Sequence, residues 1–185
     1  METASAKREV IDLAIRGLSV IPNNTSSYLN IAPRPSAETR IILVIGSNGH
    51  KTDDYSLFEE NYVKSLCNLF RKGYLNSQVL AVLPMIRGGD PSLYQPQLER
   101  MRELKTGLKF LGVASVCWDE LLPADFDRET GIFGKRDLKE RRFVHYSEKA
   151  KKALSRFIES LVQRGFDETR RKLLEGDEIY ELVKM

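Results

Sequence analysis

The stretch from Arg40 to His50, RIILVIGSNGH, decides the fold of this 185-residue chain. Its first half, Ile41 to Ile45, is an unbroken aliphatic run in which most side chains are β-branched. Such runs are typical of strands that are buried on both faces of a parallel sheet. The run stops abruptly at Gly46, and a short polar turn follows. We therefore expect 41–45 to be a central strand, with the turn at the carboxyl edge of the sheet, where sites form in such folds.

Similar apolar runs on both sides of this stretch alternate with amphipathic segments. Strands are predicted at 18–21, 79–83 and 113–118, and helices at 5–17, 55–72, 95–111, 147–164 and 167–184. Alternating strands and helices imply right-handed crossovers and a parallel sheet. The sequence thus predicts an α/β fold, a three-layer α/β/α arrangement with a mostly parallel, flavodoxin-like central sheet. We expect one domain over 1–164, with 165–185 as a C-terminal helical extension packed on it.

Composition favours a protein of a reducing compartment. Hydrophobic residues make up 42% of the chain, enough for a sizeable core, yet no run reaches the length of a membrane span and the N-terminus has no signal-peptide pattern. Cys67 and Cys117 stand in apolar surroundings and are predicted to be buried free thiols. Two histidines and two separated cysteines lack the spacing of a metal site, so no metal or cofactor is proposed. The predicted location is cytoplasmic.

Positive charge is concentrated in one segment. From Gly134 to Arg156 nine Lys or Arg residues face three acidic residues, a formal charge of +6 where the whole chain carries +3. Lys149, Lys152 and Arg156 stand at i, i+3 and i+7 and therefore project from one side of the predicted helix. Clustered cations are typical of proteins that bind a phosphate backbone. The alternative is an ordinary solvated helix face.

The same helix has clear signals for both of its ends. Ser147 is a suitable N-cap, because its hydroxyl can accept a hydrogen bond from the first turn, and Gly165 is expected to end the helix. An apolar stripe at spacings of three and four predicts the buried face. Its members are Ala150, Ala153, Leu154, Phe157, Ile158, Leu161 and Val162.

Three short motifs resemble those of the SGNH/GDSL hydrolase superfamily over roughly 18–162. They are the strand and Gly-x-Asn block ending at Asn48, the Val82-Leu83-Pro84 run, and Val144-His145-Tyr146-Ser147 leading into a helix. Active members use a serine from a Gly-Asp-Ser motif, an oxyanion hole that includes a glycine and an asparagine, and an Asp-x-x-His pair. The resemblance assigns Gly46, Asn48 and His145 to relics of those positions.

The resemblance fails where catalysis needs it most. Arg142 stands where the motif has the aspartate that orients the histidine, and a guanidinium cannot take that role. The first predicted strand leads to no Gly-Asp-Ser, and Ser26 and Ser27 lie at the wrong offset. We therefore expect no enzyme activity. The alternative is an active esterase that uses Ser26 or Ser27 with an aspartate from 119–137; a purely structural interaction domain is a third reading.

Among degenerate members the chain looks most like the OSK domain, the RNA-binding domain of an insect germ-plasm organiser. That likeness implies a non-catalytic domain that binds messenger RNA, including 3′ untranslated regions, in a cytoplasmic ribonucleoprotein assembly. It implies protein partners from that assembly, and neither a membrane nor a small-molecule substrate. The predicted RNA-binding residues are Arg16, Arg40, Arg141, Arg142, Lys149, Lys152 and Arg156.

Some of the surrounding residues leave alternatives open. Arg16 lies at the end of the first predicted helix and either compensates the helix dipole or extends the basic surface. His145 is either a relic base, a ring that stacks on RNA, or a structural residue. Tyr146 is a candidate for stacking on RNA bases because it lies within the basic segment. Trp118 is expected in the core.

Overall fold

The structure, a computed structural model, describes residues 33–44, 55–83, 94–123, 125–126 and 146–176. Its strands and longer helices are, in chain order, β1 (Ile41–Val44), α1 (Tyr55–Arg71), β2 (Val79–Leu83), α2 (Tyr94–Phe110), β3 (Ala114–Cys117), α3 (Glu148–Arg164) and α4 (Phe166–Glu175). Short 3-10 helices precede β2 at Asn76–Gln78 and follow β3 at Trp118–Leu121. The predicted helix at 5–17 and strand at 18–21 lie outside the described residues.

The three strands form a parallel sheet in the order β1-β2-β3, with Ile41 opposite Val79 and Leu80 opposite Ala114. This confirms the predicted α/β fold. Within the described strands β2 is central, between β1 and β3. All five residues of β2 have zero exposure, whereas Val44 of β1 is 40% exposed. The predicted strand at 18–21 lies outside the described residues, so the central position expected for 41–45 stays a prediction.

Side chains alternate between the two faces of the sheet, and helices cover each face. On one face Leu80 and Val116 belong to a core that includes Phe157 of α3 and Leu173 of α4. On the opposite face Ala81 and Leu83 belong to a second core, together with buried residues of α1 and α2: Tyr62, Leu66, Leu69, Met101, Leu104 and Leu108. The described elements therefore form the three layers that the sequence predicts.

The boundaries of α3 agree with the prediction. The Ser147 side chain accepts a hydrogen bond from the Ala150 N–H at 3.2 Å. Gly165 ends the helix with a φ of 103°, a backbone conformation that side chains with a Cβ rarely adopt. The apolar stripe is buried at Ala150, Ala153, Phe157 and Leu161, but Val162 is 38% exposed at its margin.

The last helix is shorter than predicted. We expected 167–184, and α4 ends at Glu175, where Gly176 takes a left-handed conformation and its N–H donates to the Lys172 carbonyl. Apolar residues further along the chain suggested continuation, whereas the glycine supplies a C-cap at little steric cost. Phe166 and Leu173 pack into the same core as α3. Residues after 176 lie outside the described part.

The two cysteines differ in their environment. Cys117 is buried at the end of β3, as predicted, and burial raises the pKa of its thiol. The prediction for Cys67 is wrong, because this residue is exposed on α1. Its neighbours Ser65 and Leu66 are buried. An α-helix rotates by about 100° from one residue to the next. Cys67 is therefore turned away from the core, although the two residues before it face inward.

Candidate nucleic-acid interface

The basic stripe, by which we mean Lys149, Lys152 and Arg156, lies on the outer surface of α3. All three side chains are exposed. Seven residues separate the first from the last, so the stripe extends about 10 Å along the helix axis. The spacing of i, i+3 and i+7 keeps the three cations on one side of the helix, as the sequence predicts. An elongated row of cations is suited to following a chain of phosphates.

Glu148, the acidic residue next to Lys149, pairs with a cation outside the basic stripe. Glu148 forms an ion pair with Lys151 at 2.8 Å. The hydrogen bond from Lys151 is the main cause that lowers the pKa of the Glu148 carboxyl, and Lys152 contributes less. In the described part of the structure, no carboxylate forms an ion pair with a residue of the basic stripe. Its cations can therefore bind a ligand without first breaking an internal pair.

A buried contact fixes the N-terminal end of α3 beneath the basic stripe. The Trp118 indole N–H donates to the Ala150 carbonyl at 3.0 Å, and Trp118 is 7% exposed. This confirms that Trp118 belongs to the core. Its ring lies 4.3 Å from the ring of Tyr146, with an angle of 54° between the planes. Tyr146, our candidate for stacking on RNA bases, is thus half-buried against another ring.

Arg40 is a predicted RNA-binding residue whose guanidinium already donates hydrogen bonds within the protein. Its Nε and Nη2 donate to the two carboxylate oxygens of Asp167, at 3.0 and 2.8 Å. Its Nη1 donates to the carbonyls of Ala37 and Thr39, at 2.7 and 3.1 Å. The guanidinium also lies over the Phe166 ring, 5.8 Å from its centroid. Arg40 therefore links the segment before β1 to the start of α4.

Arg40 lies near the C-terminal end of α3, whereas the basic stripe begins in the first turn of that helix. The partner of Arg40, Asp167, lies just beyond the C-terminus of α3. An α-helix rises 1.5 Å per residue, so Lys149 lies roughly 22 Å and Arg156 roughly 12 Å from that end along the helix. Arg40 is therefore distant from the Lys149 end of the basic stripe.

The remaining predicted site residues lie outside the described part of the chain. These are the cations Arg16, Arg141 and Arg142 and the relic positions Gly46, Asn48 and His145. Their roles stay predictions. The same holds for the displaced serines of the esterase alternative.

Sequence reasoning missed a second row of cations, on α2. Arg102, Lys105 and Lys109 have the same i, i+3, i+7 spacing as the basic stripe. They border a groove that also involves β3 and α4. The spacing was visible in the sequence, but the row falls outside the densest run of positive charge. High local charge density therefore predicted the row on α3 but not the row on α2.

Over the described ranges, no group of three His, Cys, Asp or Glu residues is arranged to hold a metal ion. None of the described helices combines the length and apolar character that crossing a membrane requires.

Comparisons with known protein families, with curated proteins and with solved structures find no match for this chain.

Proposed function

We propose that this chain is a non-catalytic RNA-binding domain that holds messenger RNA by its phosphate backbone. The observation that carries the proposal is the basic stripe: three exposed cations on one helix side, without ion-pair partners in the described structure. Phosphate contacts of this kind supply affinity without sequence information. Arg156 is the strongest single candidate, because a guanidinium can hold a phosphate through two parallel hydrogen bonds.

The rigidity of α3 supports this proposal. The helix is capped by Ser147, tied to Trp118 through the Ala150 carbonyl, and packed on the sheet through Phe157. A fixed backbone keeps the spacing between the cations constant, so less ordering is required when RNA binds. The proposal extends to Arg141 and Arg142, which precede the helix and would lengthen the row.

The resemblance to SGNH hydrolases, and to the OSK domain of Oskar in particular, is the basis on which we extend this proposal to a cellular location and to partners. A domain of that type would act in the cytoplasm, within a germ-plasm-type ribonucleoprotein assembly, and would bind messenger RNA together with protein partners. The proposal for the basic stripe stands on the charges of α3 and does not require this resemblance.

A charge-reversal experiment tests the proposal. The variant Lys149→Glu, Lys152→Glu, Arg156→Glu is titrated with single-stranded RNA over a series of salt concentrations. We expect affinity to fall at least about tenfold, a loss of about 1.4 kcal/mol or more. If three phosphates are held, the slope of log affinity against log salt should decrease by about 2 units. Circular dichroism checks that the helices are retained.

A matched control separates position from net charge. Lys64→Glu, Arg100→Glu, Arg171→Glu changes the net charge of the chain equally, but at cations that form ion pairs with Glu60, Glu103 and Glu175. This control should keep most of the affinity. Equal losses in both variants would mean that RNA senses only overall charge, and unchanged binding in the stripe variant would contradict the proposal.

The absence of catalysis is tested with a short-chain p-nitrophenyl ester. We expect no turnover above background, because Arg142 occupies the orienting position and the expected turn has no serine. Without the base–orienter pair, an acyl-transfer mechanism loses several orders of magnitude in rate. Turnover that disappears on Ser26→Ala, Ser27→Ala or His145→Ala would establish the esterase instead.

A further inference from the structure

A groove between α2, β3 and α4 has an unbalanced positive charge. Its volume is about 320 Å³, and its lining includes Arg102, Lys105, Lys109 and Thr106 of α2. Leu173 of α4 forms part of the facing wall. The groove thus combines a row of cations with an apolar wall, whereas the basic stripe on α3 lies on an open helix surface.

The single carboxylate in this lining is already neutralised. Both oxygens of Glu120 accept hydrogen bonds from the Lys105 ammonium, at 2.7 and 2.8 Å. One of them also accepts from the Cys117 backbone N–H at 2.8 Å. Lys105 and Glu120 are each 27% exposed, so the pair is partly shielded from water. It forms a fixed, neutral end to the groove.

Arg102 and Lys109 retain their charge. Both are exposed, and no carboxylate of the described residues forms an ion pair with either. They stand seven residues apart, so two turns of α2 separate them by about 10 Å along the helix. Burial raises the pKa of the neighbouring Cys117 thiol, and the charges of Lys105 and Arg102 oppose that rise.

Ser115 offers a hydroxyl in the same lining. It is 4% exposed, and its side chain has no hydrogen bond to another described residue. Thr106, by contrast, donates its hydroxyl proton to the Arg102 carbonyl. The Ser115 hydroxyl oxygen still reaches the solvent of the groove, so it is available to donate to a ligand that accepts hydrogen bonds.

We propose that this groove binds the phosphate group of a small phosphorylated molecule of about mononucleotide size. Arg102 and Lys109 supply the charge for a phosphate, and Ser115 supplies a neutral donor. The volume is at the lower end of the range for small-molecule sites, which suits one phosphate and an attached ring. The apolar side chain of Leu173 gives that ring a surface. This site goes beyond RNA binding by α3. The sequence led us to expect no small-molecule substrate, and the groove would bind such a molecule as a ligand.

The test is a titration of the intact chain with adenosine monophosphate, followed by calorimetry and by backbone amide NMR. Inorganic phosphate and adenosine are the matched probes. We expect the monophosphate to bind with a Kd in the range of about 0.01–1 mM, phosphate to bind more weakly, and adenosine not to bind. Amide shifts should centre on Ser115 and Lys109. Absence of monophosphate binding up to about 10 mM would overturn the proposal.

Substitutions then locate the binding. Arg102→Gln and Lys109→Gln should each weaken monophosphate binding about fivefold or more, as expected for loss of a charge-assisted contact. Arg100→Gln is the control, because Arg100 lies on the same helix, outside the groove, and pairs with Glu103 at 2.9 Å. Unchanged affinity in both groove variants would refute the site. All three positions are exposed, so folding should be preserved, which the NMR spectra check directly.

One further variant separates this site from the RNA interface. The charge-reversed basic stripe of α3 should bind adenosine monophosphate with unchanged affinity. Loss of monophosphate binding in that variant would place the phosphate on α3 and overturn the groove proposal. Conversely, failure of RNA to bind would leave the monophosphate titration as an independent result.

Discussion

Arg40 and Arg156 are both predicted to bind RNA on the basis of charge, yet the structure gives them opposite environments. Arg40 donates to two oxygens of Asp167 and to two backbone carbonyls. Arg156 is exposed and has no ion-pair partner in the described part of the chain. For Arg40 to bind a phosphate it would have to release a bidentate carboxylate. Availability, and not formal charge, therefore decides which cation can serve a ligand.

The largest expected effect is on stability, and it distinguishes the packing that holds α3 in place from the charge of the basic stripe. Phe157 is fully buried beneath α3, and Phe157→Ala should lower the free energy of unfolding by about 3–5 kcal/mol. RNA affinity of the molecules that remain folded should be unchanged, because the Phe157 side chain is buried and cannot itself contact RNA. Urea unfolding measures the first quantity and titration at low temperature the second. A large loss of affinity in the folded fraction would show that RNA binding depends on the packing of α3 against the sheet and not only on the charges at its surface.

The comparison is tested most directly by Arg156→Gln and Arg40→Gln. Arg156→Gln should weaken RNA binding about tenfold, since a hydrogen bond to a charged group contributes about 1.5–3 kcal/mol, and should decrease the salt slope by about 0.7 units. The melting temperature should hardly change. Arg40→Gln should lower the melting temperature and leave the salt slope intact. If the two variants change the slope equally, the distinction between a committed and an available arginine fails.

The smallest expected effect concerns the strength of the Arg40–Asp167 pair. The hydrogen bond from Arg40 is the main cause that lowers the pKa of the Asp167 carboxyl. A carboxyl whose pKa is lower in the folded state stabilises the fold above its unfolded value, about 3.9, and loses that contribution as pH falls through its folded-state pKa. Because Asp167 is 69% exposed, solvent screening limits the pair to about 0.2–1 kcal/mol.

A double-mutant cycle with Arg40→Gln and Asp167→Asn measures this coupling. It should be present at pH 7 and should decrease progressively as the pH is lowered below about 4. A coupling that persists in strong acid would show that the hydrogen bonds between the two side chains, and not the charge of the carboxylate, supply the interaction. Absence of coupling at pH 7 would show that Arg40 is held by the carbonyls of Ala37 and Thr39 and by the Phe166 ring instead.

Local patterns in the sequence predicted most of the described fold. The strand at 79–83, the cap at Ser147 and the break at Gly165 are set by neighbouring residues, and each is confirmed. The exposure of Cys67 depends on how elements pack, and it differs from the expectation. For Cys67 the apolar residues around it in sequence concealed a helix position that faces away from the core.

The candidate sites show the same division between local and distant causes. The helix period alone predicts the basic stripe of α3. The pairing of Arg40 joins residues 127 positions apart, and no local pattern reveals it. The groove depends on Glu120 neutralising Lys105 across 15 positions, which leaves Arg102 and Lys109 as its unbalanced charges. Equal spacing of cations on two helices thus conceals two different surroundings.

The contact between Trp118 and α3 gives the molecule a built-in optical reporter. Trp118 is the only tryptophan in the chain, so its fluorescence comes from one place. Its indole is shielded, donates to a carbonyl of the helix that carries the basic stripe, and lies 4.3 Å from the Tyr146 ring. Separation of α3 from the sheet would expose the indole to water and shift its emission to longer wavelength. Docking of that helix can therefore be followed in real time, without a label, while RNA is added.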